Sequence, residues 1–328
     1  MKKKIIAIIV AIVLIIPVSR GWYEFLLDNF SDAELASSTQ LKFEKISDTE
    51  VEVVGYDSYL HGSITIPEKI RIGLHIYKVT RIGRSAFKGC ISLTSINIPD
   101  GVTSIADYAF YGCSSLTSIN IPEGVTSIAD YAFENCDSLE PKLLVYDKGT
   151  KCYGWIGDKK KCTEVVIPDG VTSIGASAFY RCISLTSINI PESVTSIGGC
   201  AFYYCESLTS INIPEGVTSI GASAFYRCIS LTSINIPESV TSIGNSAFSY
   251  CKSLTSINIP EGVTSIRYSA FSGCESLTSI KIPKSLTSIS EGVFRDCSNL
   301  EIVIDNSKRN VKVGWDTFKG CKSVKWLK

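Results

Sequence analysis

The hydrophobic positions of this chain return every 23 residues. From Leu208 to Ser230 the cassette reads LTSINIPEGVTSIGASAFYRCIS, with apolar residues at Leu208, Ile211, Ile213, Val217, Ile220, Ala224, Phe225 and Cys228. The cassette opens at Leu93, Leu116, Leu139, Cys162, Leu185, Leu208, Leu231, Leu254, Leu277 and Leu300, with no slip in spacing. Counting phases from that opening residue, the apolar phases are 1, 4, 6, 10, 13, 17, 18 and 21. A period of this length predicts a repeat solenoid, in which each repeat makes one coil and contacts mainly its neighbours. Leu-x-x-Ile-x-Ile alternates with strand periodicity, so Ile211 and Ile213 point inward and Asn212 outward. Pro214 stops that strand, Gly216 helps the turn, and Val217–Ile220 predicts a second short strand. Ser223–Cys228 is too short for a stable helix and predicts a helical turn with Phe225 plugged inward.

Departures from the cassette set the domain boundaries. Residues 1–20 carry Lys2, Lys3 and Lys4 and then an apolar run from Ile5 to Val18. That pattern fits a signal peptide or an uncleaved N-terminal membrane anchor, although Pro17–Trp22 lacks a clear pair of small residues for cleavage. Residues 21–40 read as a linker, and 41–60 as an N-terminal cap built on a hairpin around Ser47-Asp48-Thr49. The solenoid spans 61–300. Its first coil holds nine extra residues between Pro67 and Val79, and the coil at 139–161 keeps its length but loses the pattern. Residues 301–328 weaken again into a C-terminal cap.

The chain has equal numbers of acidic and basic residues, 32 of each, so no global field points to nucleic acid. Cys90, Cys113, Cys136, Cys182, Cys205, Cys228, Cys251, Cys274 and Cys297 share phase 21. A ladder of parallel side chains suits a disulfide dihedral poorly, so these read mostly as free thiols filling one core slot. Cys152, Cys162 and Cys200 stand off the ladder, and Cys152 with Cys162 is the pair best placed for a bridge. His61 and His75 belong to no metal-spaced cluster, and no phosphate loop or nucleophile elbow is present. No catalytic residue, metal or cofactor is expected.

The consensus Leu-x-x-Ile-x-Ile-Pro-x-x-Val-x-x-Ile-x-x-x-Ala-Phe-x-x-Cys closely resembles the BspA-type leucine-rich repeats of bacterial and protist surface proteins, over roughly residues 41–328. The segment Val145–Trp155 also looks like a recurring variant in that family. The resemblance implies a curved leucine-rich-repeat solenoid, mainly of short strands, placed at the cell surface or secreted. It also implies a role in adhesion to host matrix proteins or partner cells, though many members have no known ligand and the fold does not by itself name one. The long additional domains and wall-sorting tails of the large adhesins are not seen in this sequence.

Outward phases repeat as well. Phase 5 gives Asn97, Asn120, Asn189, Asn212, Asn235 and Asn258 before turning to Lys281; phase 8 gives Glu123, Glu192, Glu215, Glu238 and Glu261. On a stacked sheet these become an asparagine stripe with an acidic margin, a candidate binding face for an extended protein or glycan ligand. Copied polar residues that only solvate the sheet are the alternative. The irregular coil supplies a second candidate, a basic-aromatic patch of Lys148, Lys151, Tyr153, Trp155, Lys159, Lys160 and Lys161, set against an ordinary solvated charge run. Tyrosines gather at phases 19 and 20, where they serve either recognition or coverage of the convex side. The expected function is non-enzymatic surface binding. A self-associating surface-layer protein or periplasmic scaffold is the other reading.

Overall fold

The computed structural model describes residues 40–57, 60–304 and 310–327. The predicted leader or anchor over residues 1–20, and the linker up to residue 39, lie outside the described residues. Each regular coil contributes two short parallel strands. Ser210–Asn212, Ser233–Asn235 and Ser256–Asn258 align Ser on Ser, Ile on Ile and Asn on Asn. Ser219–Ile220, Ser242–Ile243 and Ser265–Ile266 form the second ladder in the same strict register. Threonines reinforce both walls: Thr232 donates its amide and its hydroxyl to the Thr209 carbonyl, at 3.0 and 3.2 Å.

Between the walls the inward phases form a dry core. Leu208, Val217, Ala224, Phe225 and Cys228 have no exposed surface. The phenylalanines stack along the axis with near-parallel rings, 5.3 Å from Phe179 to Phe202 and 5.2 Å from Phe202 to Phe225. Truncating one such ring to alanine costs about 3–5 kcal/mol. The thiols do more than fill space. Cys228 donates its S–H to the Phe202 carbonyl at 3.2 Å, and the same bond to a phenylalanine carbonyl recurs at Cys113, Cys136, Cys205, Cys251, Cys274 and Cys297.

The predicted helical turn is corrected. Ser223–Cys228 is a run of tight turns in which Ser223 and Arg227 take φ of 54° and 57°. Amides alternate: those of Ala224, Tyr226 and Cys228 bond three residues back, while Ser223, Phe225 and Arg227 donate to the next coil. A helical turn directs its amides inward on itself; this geometry releases every second one to hold the stack together.

At the N-terminus, Leu41–Lys45 pairs antiparallel with Glu50–Tyr56, which continues parallel onto His75–Ile82. The nine extra residues of the first coil become a second hairpin, Lys69–Ile72 against His75–Ile82. At the C-terminus, Glu301–Ile304 and Ser323–Trp326 extend the Ser-Ile-Asn wall.

The coil at 139–161 is an antiparallel hairpin, Lys142–Tyr146 against Lys151–Ile156, with a register shift between Leu144 and Val145. It stands as a partition. Leu144, Tyr146, Tyr153 and Ile156 pack on the N-terminal core, while Leu143, Val145, Cys152 and Trp155 pack on the C-terminal one. Both faces are covered, which is why LLVY is apolar without alternation. Gly154, at φ 121°, lies so close to Ala178 that a Cβ would collide with its backbone. The partition also interrupts both walls, ending one sheet at Ser118–Asn120 and starting the next at Glu164–Val166.

Candidate functional site

The asparagine stripe is divided by the partition. Asn97 and Asn120 lie in one short sheet, Asn189 in a two-stranded one, and Asn212, Asn235 and Asn258 in the six-stranded sheet. Val166, 70% exposed, takes the asparagine phase beside Asn189. All six asparagines are exposed, and among the described residues none of their side chains is hydrogen-bonded to protein. Their amide donors and acceptors face solvent. Asn235 and Asn258 line a shallow trough of about 730 Å³, together with Lys281 and Val303. Glu123, Glu192, Glu215, Glu238 and Glu261 are exposed, and among the described residues none of them forms an ion pair.

The basic-aromatic residues of the irregular coil are spread apart. Lys148 sits at the hairpin turn at φ 54° and is exposed. Lys151 is held by Asp147 at 2.9 Å and by the Thr126 carbonyl at 3.0 Å. Lys159, Lys160 and Lys161 form a 3₁₀ turn beyond the other end of the strand, about 17 Å away at ordinary strand rise. Lys159 is only 17% exposed; it pairs with Glu134 at 3.6 Å and donates to the Trp155 carbonyl at 2.9 Å. Lys160 and Lys161 remain exposed. Trp155 is half-buried, with its Nε1–H on the Asp158 carbonyl at 3.2 Å.

Tyr153 has a structural task. In regular coils the phenylalanine amide donates to an alanine carbonyl of the next coil, as Phe110 does to Ala132. The coil after Phe133 offers no such alanine. The Tyr153 hydroxyl accepts from the Phe133 amide instead, at 3.1 Å, with its ring edge-on to Phe133 at 5.5 Å. Burial holds the Tyr153 phenol far above its ordinary pKa, so it remains neutral. A second groove of about 510 Å³ runs beside the hairpin and brings Asn120 and Glu123 near Lys148.

All thirteen cysteines are unbridged. Cys152 and Cys162, the pair best placed for a bridge by sequence, are unbridged as well. Cys152 lies in register with Ile174 in the hairpin sheet, whereas Cys162 takes the leucine phase of its coil and its thiol meets Cys182. Burial pushes the Cys90 thiol up to about 11 and the Cys251 thiol up to about 12.

Comparison with curated proteins gives no match. Among solved structures, a leucine-rich repeat protein from Bacteroides ovatus is 25% identical, with a TM-score of 0.50 over 88% of this chain and 98% of that one. A leucine-rich repeat protein from Eubacterium ventriosum has a TM-score of 0.55 at 20% identity, covering 87% and 94% of the two chains, a likeness of fold. A leucine rich cell surface protein from Faecalibacterium prausnitzii is 26% identical, with a TM-score of 0.43 over 91% and 94%. The family model for the BspA type leucine rich repeat region matches in six copies over residues 62–144, 157–244 and 218–328. That model covers well over half of the sequence, and the chain belongs to the BspA-type leucine-rich-repeat family.

Proposed function

We propose that this chain is a non-enzymatic, exported or cell-surface binding module that grips an extended protein or glycan ligand along its Ser-Ile-Asn wall, in the service of adhesion. The observation that carries the reading is the in-register column Asn212, Asn235, Asn258. Its amides are unbonded within the protein, and those of Asn235 and Asn258 line a trough that Lys281 also lines. An unsatisfied, exposed amide ladder offers a ligand backbone or sugar hydroxyls matched donors and acceptors at every coil. Changing Asn212, Asn235 and Asn258 together to Asp keeps the shape and replaces each amide donor with a negative charge. Saturable binding to immobilised matrix proteins, mucins or whole cells should fall at least tenfold, with the melting temperature unchanged. Equal binding by the variant removes this face from consideration.

One feature favours self-association as a second reading. Ser323–Trp326 is the terminal strand of its sheet, and Val324 and Leu327 beside its edge are exposed. Such an edge can pair with another chain. Sedimentation separates the readings: growing polydispersity with concentration favours the scaffold, and a monomer with saturable binding favours the module.

A further inference from the structure

The cassette copies differ just after the phenylalanine. Phase 19 holds Tyr180, Tyr203 and Tyr226, and phase 20 holds Arg181, Tyr204, Arg227 and Tyr250. The first three rings stack at 5.1 and 4.8 Å, nearly parallel. Beside them, Tyr204 is clasped by two guanidiniums, Arg181 at 5.6 Å and Arg227 at 5.1 Å; Arg227 also reaches Tyr250 at 5.6 Å. The four phase-20 residues have φ of 58°, 60°, 57° and 60°, a shared backbone state that aligns them in one column. Flanking coils place Gly112, Asn135 and Gly273 at this phase, the residues that a left-handed position favours. Arginine and tyrosine therefore stand here against backbone preference, in consecutive coils only.

A guanidinium stacked on a ring uses its face and leaves its N–H edge available for a carboxylate. Among the described residues neither Arg181 nor Arg227 has an ion-pair partner. The two arginines lie two coils apart, about 10 Å at the spacing of neighbouring strands. We propose that this strip binds an extended acidic polysaccharide carrying one carboxylate on every second sugar. One sugar ring spans about one coil, so successive carboxylates, two sugars apart, fall on Arg181 and Arg227, and the tyrosine hydroxyls meet the sugar hydroxyls between them. An acidic peptide strand fits less well, because its same-face side chains repeat at about 6.7 Å. The strip uses other cassette phases than the asparagine trough and does not depend on that trough having a ligand.

The test uses the full chain and hyaluronan, an alternating glucuronate polymer, beside its carboxyl-reduced form. Saturable binding that weakens with salt is expected for hyaluronan, and none for the reduced polymer. The double change Arg181→Asn and Arg227→Asn suits the left-handed backbone and should weaken binding about tenfold or more at unchanged melting temperature. A second variant, Arg227→Tyr with Tyr250→Arg, keeps composition and charge but moves one cation by a coil, and should lose affinity similarly. The proposal is overturned if the wild type does not bind hyaluronan. Equal binding of the reduced polymer, or wild-type affinity in either variant, overturns it too.

Discussion

At the scale of single residues, the core is legible because each apolar phase has one fate in every coil. Phe225 and Cys228 read as inward residues from spacing alone, and they are buried. The thiol hydrogen bond to the preceding coil was not legible, since it depends on where a carbonyl points. It has a chemical consequence. Alkylation of the native protein at pH 8 should reach only the half-buried Cys200 and Cys321, while the denatured chain should accept label at all thirteen cysteines, counted by intact mass. Some charges repeat in neighbouring coils, as Asp107 and Asp130 do, and not always favourably. Burial and its neighbour Asp107 raise the Asp130 pKa. The folded state thus holds that proton more tightly than the unfolded one. The stabilisation this gives is full below the unfolded value, about 3.9, and is lost as pH rises through the folded value. Asp130→Asn should therefore raise the melting temperature at pH 7 and leave it unchanged near pH 3, as a thermal melt series would register.

Among elements, the strands follow from the Leu-x-x-Ile-x-Ile pattern, but the turn does not. Helical and left-handed turns place the same phenylalanine inward, so burial periodicity cannot choose between them. The choice rests on amides seeking partners in the next coil, a demand that appears only once coils are stacked. The irregular coil was hidden for a related reason. Lysines and aromatics adjacent in sequence suggest a patch, whereas the hairpin separates its two lysine groups and turns Tyr153 to a backbone amide. Tyr153→Phe keeps the ring and removes the acceptor. It should cost about 1–2 kcal/mol, the penalty for leaving a buried amide unsatisfied. Because the hairpin joins two cores, calorimetry should then resolve two unfolding transitions where the native chain has closer coupling. A single transition shifted as a whole would mean that the two cores are coupled by other contacts.

For the whole molecule, the 23-residue period fixes the architecture and leaves the ligand open, because every regular coil presents the same face. Individuality lies in two places, the partition and the Tyr-Arg strip. Ring contact continues across the partition on the turn side, from Tyr131 to Tyr180 at 5.9 Å, although the walls do not. The partition also has a mechanical meaning. Coils of a uniform stack can peel from either end one after another, each exposing the next. A hairpin anchored on both faces, with its strands running antiparallel, must be torn out by a different motion. If the chain links a cell to a surface under flow, that plate is where progressive peeling would stop, leaving one half of the molecule folded while the other lengthens.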